Sequence, residues 1–172
     1  MPPPREIYLV RHAIAEPHGP EWPDDDARPL TAEGIRRFRR AAKGLRALDV
    51  DLAMVLASPL PRTRHTAELL IEALDDRPEL QLSDALRPGA TTAAAIAAID
   101  QQLVHLLAGQ LNLAVVGHEP GIGTLAAHLI GLRRPLTFRK GAVACIALEA
   151  GTAKRGGTLR WFLPPRVLRH IS

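Results

Sequence analysis

Apolar positions along this chain follow two periods, which predict strands and helices in alternation. Continuous or alternating apolar runs predict strands at about 5–11, 52–57, 112–117, 142–149 and 158–163, with a weaker strand near 79–82. Apolar residues at helical spacing predict helices at about 31–48, 59–74, 91–107 and 120–130. No internal repeat or interdomain linker interrupts the pattern, so residues 1–172 are predicted to form a single domain.

The character of these runs predicts how the strands are arranged. The runs at 5–11, 52–57 and 112–117 are almost wholly apolar, which is typical of strands that helices cover on both faces. Strands that alternate with helices predict an α/β fold with a mostly parallel sheet. The glycine-rich segment 149–158 separates the last two strands without a helical pattern, so these two are expected to pair antiparallel.

Polar residues stand at the ends of the three apolar strands. Arg11 and His12 end the first, Ser58 follows the second, and His118 follows the third. Because the carboxyl ends of parallel strands share one edge of a sheet, these residues and Arg62 are expected to lie close together.

Two predicted helices begin at the same edge. Ser58 and Pro59 are interpreted as the N-cap and the first residue of one helix, which places Arg62 in its first turn with the side chain leaning back over the strand ends. The other helix begins near Glu119-Pro120. Two arginines, two histidines and two helix N-termini favour binding of a compact anion such as phosphate.

The net charge of +4 and the pI of about 10.0 raise the question of a nucleic-acid partner. Much of the charge lies on the helix predicted at 31–48, whose opposite face is apolar. We interpret this segment as an amphipathic helix with a solvated basic face, the alternative being a surface for an acidic partner. Aromatic residues do not interleave with the cations, and no zinc-finger or helix-turn-helix pattern occurs, so no nucleic-acid partner is predicted.

The sequence contains no candidate for a membrane anchor. The apolar run at 7–10 is too short for a signal peptide or a transmembrane helix, so no membrane partner is predicted. The single cysteine, Cys145, lies in an apolar run and is interpreted as a packed core thiol. A lone cysteine excludes an internal disulfide and predicts a cytoplasmic location.

The segment 13–30 is a long connection that contains four prolines. Loops of this length are usually functional or disordered. Its acidic triplet, Asp24-Asp25-Asp26, is interpreted as a solvated part of the loop and not as a magnesium site, because no second cluster of ligands is apparent.

Four motifs carry a resemblance to a known family. They are "LVRHA" at 9–13, "RPLT..G" at 28–34, "SPLPRTRHTA" at 58–67 and "VVGHEPGIG" at 115–123. In these motifs the chain resembles the histidine phosphatase superfamily, and its short length, "RHA" and "RPLT" resemble the small SixA-type branch of phosphohistidine phosphatases. The resemblance implies a phosphoglycerate mutase-like three-layer α/β/α sandwich, with a mostly parallel mixed sheet in which one strand opposes the rest.

The resemblance also implies the chemistry. His12 is expected to attack phosphorus and form a phosphohistidine intermediate that water hydrolyses to inorganic phosphate. Arg11 and Arg62 are expected to lower the pKa of His12 and to neutralise the phosphoryl oxygens, to which His118 donates a hydrogen bond. No metal or other cofactor is predicted. The predicted catalytic residues are Arg11, His12, Arg62 and His118, and the predicted substrate-binding residues are Arg11, Arg28, Ser58, Arg62 and His118.

One departure from the wider family bears on the substrate. Mutases and larger relatives carry a glutamate general acid after the second helix, but the corresponding segment 82–90 contains no glutamate. Asp84 and Glu119 are the weak candidates that remain. An imidazole leaving group needs less help from an acid than an alkoxide does, which favours phosphohistidine on a protein as the substrate. Two alternatives stay open: a phosphatase or mutase acting on a small phosphorylated metabolite, and a non-catalytic phosphate-binding regulatory module.

Overall fold

The computed structural model describes residues 5–106, 112–148, 152–153 and 155–171. The strands are β1 (Glu6–Arg11), β2 (Met54–Ala57), β3 (Glu79–Leu82), β4 (Leu113–Gly117), β5 (Val143–Ala147) and β6 (Thr158–Leu163). The α-helices are α1 (Ala32–Ala47), α2 (Pro61–Ala73), α3 (Thr92–His105), α4 (Gly121–Ile130) and α5 (Pro165–Ile171). Short 3₁₀ turns occupy Asp25–Ala27 and Asp84–Leu86.

The six strands form one mixed sheet in the order β3-β2-β4-β1-β5-β6. The pairs β1–β4, β2–β4 and β2–β3 are parallel, whereas β5 is antiparallel to both β1 and β6. The predicted mostly parallel sheet with one opposed strand is therefore confirmed, as are the antiparallel final pair and the weaker strand at 79–82. We call the edge at which β1, β2 and β4 end the carboxyl edge of the sheet.

Strands β1, β2, β4, β5 and β6 send alternate side chains into two separate cores. Tyr8 and Val10 of β1 belong to the core that includes residues of α1, α2 and α5. Ile7 and Leu9, one position along, belong to the core that includes residues of α3 and α4. Because side chains alternate across a strand, this division places helices on both faces of the sheet and makes the three-layer α/β/α sandwich.

The start of α2 differs from the prediction. The helix begins at Pro61 after Leu60, and no side chain caps it, so the assignment of Ser58 as N-cap and Pro59 as first helical residue is wrong. Ser58 instead continues β2, since its N–H donates to the Val116 carbonyl at 3.1 Å. Pro61 takes the first helical position, where its missing N–H costs nothing. Arg62 still falls in the first turn.

The helix α5 was not predicted. It has only seven residues, and Leu168 is its buried one, so the sequence shows no helical period to detect. It packs against α1 at Gly44, where any β-carbon would overlap the backbone carbonyl of Leu168. The predicted ends of two other elements, at 107 and 149, lie outside the described residues.

Cys145 was predicted to be a packed core thiol, and no membrane-spanning segment was predicted. Cys145 lies fully within the core on β5, and burial raises the pKa of its thiol to about 12, as expected for a packed core cysteine. Within the described ranges, no helix is long and apolar enough to cross a membrane. The cellular location stays a prediction.

Candidate active site

Three adjacent strands deliver polar residues to the carboxyl edge. In the sheet order, β2, β4 and β1 are neighbours, and Ser58, His118 and His12 directly follow them. Sheet pairing continues one residue beyond the strands, because the His12 N–H donates to the Gly117 carbonyl at 3.1 Å. Buried strands thus fix the backbone on which the two histidines stand.

The rings of His12 and His118 lie side by side. Their centroids are 5.3 Å apart and their planes are inclined by 57°. Both side chains are buried, each with only 5% of its surface exposed. The two histidines, 106 positions apart in the printed sequence, are therefore brought together as the sequence predicted.

A hydrogen bond fixes the tautomer of His12. Its Nδ1 lies 2.7 Å from the Ala13 carbonyl oxygen, and because a carbonyl only accepts, Nδ1 must carry the proton. In the neutral ring the lone pair is then on Nε2. This arrangement leaves Nε2 as the nucleophilic nitrogen.

Both histidines are held neutral. The pKa of His12 falls to about 3, first because burial penalises the charged ring and then because a second charge on it would be repelled by His118, Arg62 and Arg11. The pKa of His118 also falls to about 3, through burial and then the charge of Arg62. The two arginines act in the predicted direction, but burial is the larger cause.

The His118 ring is oriented by Ser58. The Nε2 atom of His118 lies 2.9 Å from the Ser58 hydroxyl, which is completely buried behind it. A hydroxyl can rotate to donate or accept, so it can hold either ring tautomer. The contact observed for Ser58 is thus with His118, and its predicted substrate contact stays a prediction.

Arg62 extends from the first turn of α2 into the site. Only 2% of its surface is exposed. Its Nη1 donates to the Asp25 carbonyl at 2.6 Å, and its Nη2 lies 3.1 Å from the Asp25 carboxylate. Buried guanidinium groups need such partners, because an uncompensated buried charge is costly.

Arg11 is held from the other side. Its Nη1 donates to the Phe138 carbonyl at 2.6 Å. The Nε atoms of Arg11 and Arg62 and the Nδ1 of His118 are the buried side-chain nitrogen atoms that lack a hydrogen-bond partner within the described part of the chain. Buried polar atoms are rarely left unpaired, and all three belong to this one site.

The loop 13–30 contacts Arg62 through Asp25, a feature that sequence reasoning missed. Arg28 donates through Nε to the Asp25 carboxylate at 2.8 Å and through Nη1 to the Glu16 carbonyl at 2.5 Å. Burial opposes ionisation of Asp25, but the hydrogen bond and charge of Arg28 and the charge of Arg62 outweigh it and hold the pKa of Asp25 below its ordinary value. Arg28 therefore does lie beside Arg62, joined to it through one carboxylate.

The acidic triplet is exposed, as expected for a solvated part of the loop, and its carboxylates also make specific contacts. Asp24 caps the 3₁₀ turn by accepting from the Asp26 N–H, and the Asp26 carboxylate pairs with Arg87 at 3.0 Å. With Asp25 on Arg62, each acid has a specific contact. Over the residues that the structure describes, no group of histidine, cysteine and carboxylate side chains is arranged to hold a metal ion.

The two weak candidates for a general acid occupy different positions. Glu119 accepts a hydrogen bond from the Phe138 N–H at 2.5 Å, and its charge acts on Arg11. Asp84 is exposed and pairs with Arg87 at 3.3 Å. Asp25 is the carboxylate that directly contacts an arginine of the site, and the only sequence signal for it was its place three residues before "RPLT".

Two supporting residues were also missed. Thr66, one turn after Arg62, donates to the Arg62 carbonyl at 2.6 Å and accepts from the Ala13 N–H at 3.0 Å. Gly141, at a positive φ of 81°, donates its N–H to the carbonyls of Arg11 and His12, both at 3.1 Å. A helix and a tight turn thus hold the His12 backbone from both sides.

Comparison with known proteins identifies relatives of the chain. The family described as "Histidine phosphatase superfamily (branch 1)" matches residues 7–91. An uncharacterized protein of Picosynechococcus sp. is 34% identical over 151 residues, which cover 87% of each chain. The phosphohistidine phosphatase SixA of Escherichia coli K12 is 29% identical over 162 residues, covering 93% of this chain and 94% of SixA.

A solved structure extends the likeness to the whole fold. The protein histidine phosphatase SixA, solved as a complex with tungstate, superimposes with a TM-score of 0.81 at 26% identity, covering 95% of this chain and 99% of that one. The chain therefore belongs to the histidine phosphatase superfamily and is a phosphatase. Within that superfamily it falls in the SixA-type branch.

Proposed function

We propose that this phosphatase uses His12 as its nucleophile and removes the phosphoryl group from phosphohistidine on a protein. The observation that carries the proposal is the state of His12. Its ring is neutral, its Nδ1 is tied to the Ala13 carbonyl, and its Nε2 is the nitrogen with a free lone pair. A neutral imidazole at neutral pH is what nucleophilic attack on phosphorus requires.

The first step transfers the phosphoryl group to the enzyme. The lone pair of His12 Nε2 forms a bond to phosphorus, and the P–N bond to the substrate imidazole breaks. The other ring nitrogen of the substrate imidazole carries a proton taken from solvent. The electrons of the breaking P–N bond return to the departing nitrogen, so the imidazole leaves neutral. Arg11, Arg62 and Arg28 place positive charge around the site, and preorganised charge of this kind stabilises the transferring phosphoryl oxygens.

The second step regenerates the enzyme. A water oxygen forms a bond to phosphorus, and the electrons of the breaking P–N bond return to Nε2 as its lone pair. Inorganic phosphate leaves, and the protons of the water stay on it or pass to solvent. His118 lies beside His12 and is oriented by Ser58. We assign His118 to hydrogen bonding with the phosphoryl group and Ser58 to positioning of the His118 ring.

The lack of a well-placed general acid favours a substrate with an imidazole leaving group. Asp84 is exposed and paired with an arginine, Glu119 accepts from a backbone N–H, and Asp25 is held ionised by two arginines. An alkoxide leaving group needs a proton from a strong general acid, and none of these carboxylates is placed to supply it well. An imidazole leaving group makes the smaller demand.

A second candidate function rests on a pocket beside His118. Loop residues 85–92 and the start of α4 enclose a volume of about 170 Å³ that reaches His118 and Glu119. A space of this size could hold the leaving group of a small phosphorylated metabolite, and Glu119 is part of its lining. This pocket favours a small-molecule phosphatase over a mutase, since a mutase must also shelter its phosphoenzyme from water.

The decisive experiment traps the phosphoenzyme. The protein is mixed with a ³²P-labelled phosphohistidine peptide and quenched in alkali, which preserves phosphohistidine. We expect label on the wild type and on the His105→Ala control, whose histidine is exposed at the far end of α3, and none on His12→Ala. Phosphate binding without label or turnover would instead support a non-catalytic module.

The substrate class is tested by comparing rates. We expect kcat/KM for a phosphohistidine peptide to exceed that for small sugar phosphates by at least ~10²-fold, since the weak acid penalises the ester. Faster turnover of the sugar phosphates would contradict the phosphohistidine assignment and favour the small-molecule candidate.

A further inference from the structure

A second concave surface lies beside the candidate active site. It is a groove of about 490 Å³ between the first turns of α1, the segment 139–141 and the start of α5. We call it the basic groove, because its lining includes six cationic residues and no acidic one among the residues described. The cationic residues are Arg11, Arg37, Arg139, Lys140, Arg166 and Arg169.

The groove and the site share the carboxyl edge of the sheet. Val10 of β1 pairs with Val143 of β5, which in turn pairs with Leu163 of β6. Because β6 runs parallel to β1, the chain leaves both strands at the same edge, and Pro164 and Pro165 line the groove there. The groove therefore lies on the β5–β6 side of His12, at the same level of the sheet.

Direct contacts connect the groove to the nucleophile. Arg11 and Ala13 line the groove and flank His12 in the chain. Gly141, also in the lining, donates its N–H to the His12 carbonyl. Partial loss of hydration and then the positive charges of Arg11, Arg28 and Arg62 lower the pKa of Lys140, so the positive potential of the site extends into the groove.

The charges in the groove are poorly balanced. Arg37 pairs with Glu33, but Arg139, Lys140 and Arg166 are exposed and form no ion pair with any residue in the described part of the chain. Positive charges this close repel one another and lower the stability of the fold. The fold thus maintains a concentration of positive charge next to the site that no acidic side chain of the groove neutralises.

We propose that the basic groove binds an acidic segment of the phosphorylated protein, next to the phosphohistidine that enters the site. This inference rests on the proposed function and specifies the partner. A substrate whose phosphoryl group reaches His12 must pass the rest of its chain over the rim of the site, and charge complementarity favours glutamate and aspartate on the β5–β6 side.

The test uses three phosphohistidine peptides of equal length with glutamate, glutamine or lysine on both sides of the phosphohistidine. For the wild type we expect kcat/KM for the acidic peptide to exceed that for the neutral one by at least ~10-fold at low salt, and the ratio to shrink in 0.5 M salt. An unphosphorylated acidic peptide should inhibit, and an unphosphorylated neutral one should not.

Two variants with the same change of charge localise the effect. The groove variant Arg139→Glu/Arg166→Glu should reduce the acidic-to-neutral ratio to about one. The control variant Arg133→Glu/Arg134→Glu should keep the wild-type ratio, because its exposed arginines follow α4 at the opposite edge of the sheet. The ratio is compared within each variant, so a general change in activity or folding cancels.

The outcomes separate the two proposals. Turnover of the neutral peptide with no acidic preference would overturn the groove and leave the proposed function standing. The groove would also be overturned as a protein-docking surface if both variants lost the acidic preference equally. Competition by a single-stranded oligonucleotide but not by the acidic peptide would have the same consequence. Turnover of small phosphate esters but of none of the peptides would overturn both.

Discussion

Burial of His12 determines the chemical state on which the proposed reaction depends. Its ring is 5% exposed, and its Nδ1–H has the Ala13 carbonyl as partner. An imidazolium in this position would lose its hydration and face two arginines and a second histidine. The ring is therefore neutral well below the pH at which an ordinary histidine titrates, and protonation of His12 does not limit attack near neutral pH.

This property gives the folded protein an acid sensitivity that can be measured. The pKa of His12 and of His118 is about 3 in the folded protein against 6.5 for an unperturbed histidine, so the unfolded chain binds more protons between these values. The contribution that the two neutral histidines make to the free energy of unfolding is complete above pH 6.5 and is lost as the pH falls toward 3. At pH 5 each histidine should lower the free energy of unfolding by on the order of 2 kcal/mol.

Urea unfolding at pH 7.5 and pH 5 measures this loss in four proteins: the wild type, His12→Gln, His118→Gln and the double variant that carries both changes. Each variant should lose less stability than the wild type between the two pH values, and the double variant should lose the least. If all four proteins lost the same amount, the low pKa values would be contradicted, and other groups would account for the acid sensitivity.

Residues of the site could be predicted from the sequence where they directly follow the end of a strand. His12, Ser58 and His118 follow apolar runs, and an apolar run followed by polar residues is visible in one sequence. The partner of Arg62 was not visible, because Asp25 reaches it from a loop 37 residues earlier whose path no periodicity encodes. Burial lowers the histidine pKa values more than the arginine charges do. This effect could not be predicted either, because the depth of the rings below the surface is determined only by the packed fold.

The contact between α1 and α5 closes the face of the sheet next to the basic groove. Gly44 of α1 allows the close approach, since a β-carbon there would overlap the Leu168 carbonyl. The helix α5 is too short to be stable alone, so its place depends on this packing. The positions of Arg166 and Arg169 at the groove depend on it in turn.

Substitution of Gly44 by alanine tests this contact. In an exposed helix the change would stabilise by about 1 kcal/mol, because alanine is the better helix former. Here we expect a loss of roughly 1–3 kcal/mol in the free energy of unfolding, since the two helices must move apart. The control is Lys43→Ala, at the exposed neighbouring position, which should change stability by less than about 0.5 kcal/mol. A stabilised Gly44→Ala protein would contradict the close packing of α5.

Elements were predictable where they are long and periodic. The four long helices and all six strands were found, whereas α5 and the true start of α2 were not. The sequence "SPLPR" contains two prolines that could each begin a helix, and the choice of Pro61 depends on Ser58 remaining in the sheet beside Val116. That pairing is a long-range contact, so local sequence could not decide between the two starts.

At the scale of the whole molecule, one sheet connects two cores and carries the site on its edge. Val55 and Ala57 of β2 pack into the core beneath α1, α2 and α5, while Leu56 between them packs into the core beneath α3 and α4. The same strands hold His12, Ser58 and His118 in register. Both cores and the site share the same strands, so unfolding of the strands in one core also disrupts the other core and the site.

This arrangement predicts that the two cores unfold as one cooperative unit, as a single domain should. Leu45→Ala removes a buried side chain from one core and Leu103→Ala one from the other, and each should cost about 2–5 kcal/mol. In both variants, urea unfolding followed by tryptophan fluorescence and by far-ultraviolet circular dichroism should give coincident single transitions with the wild-type slope. A variant that lost part of its helical signal in a separate early step would show that the core carrying the substitution unfolds alone, and the sheet would then not couple the two layers.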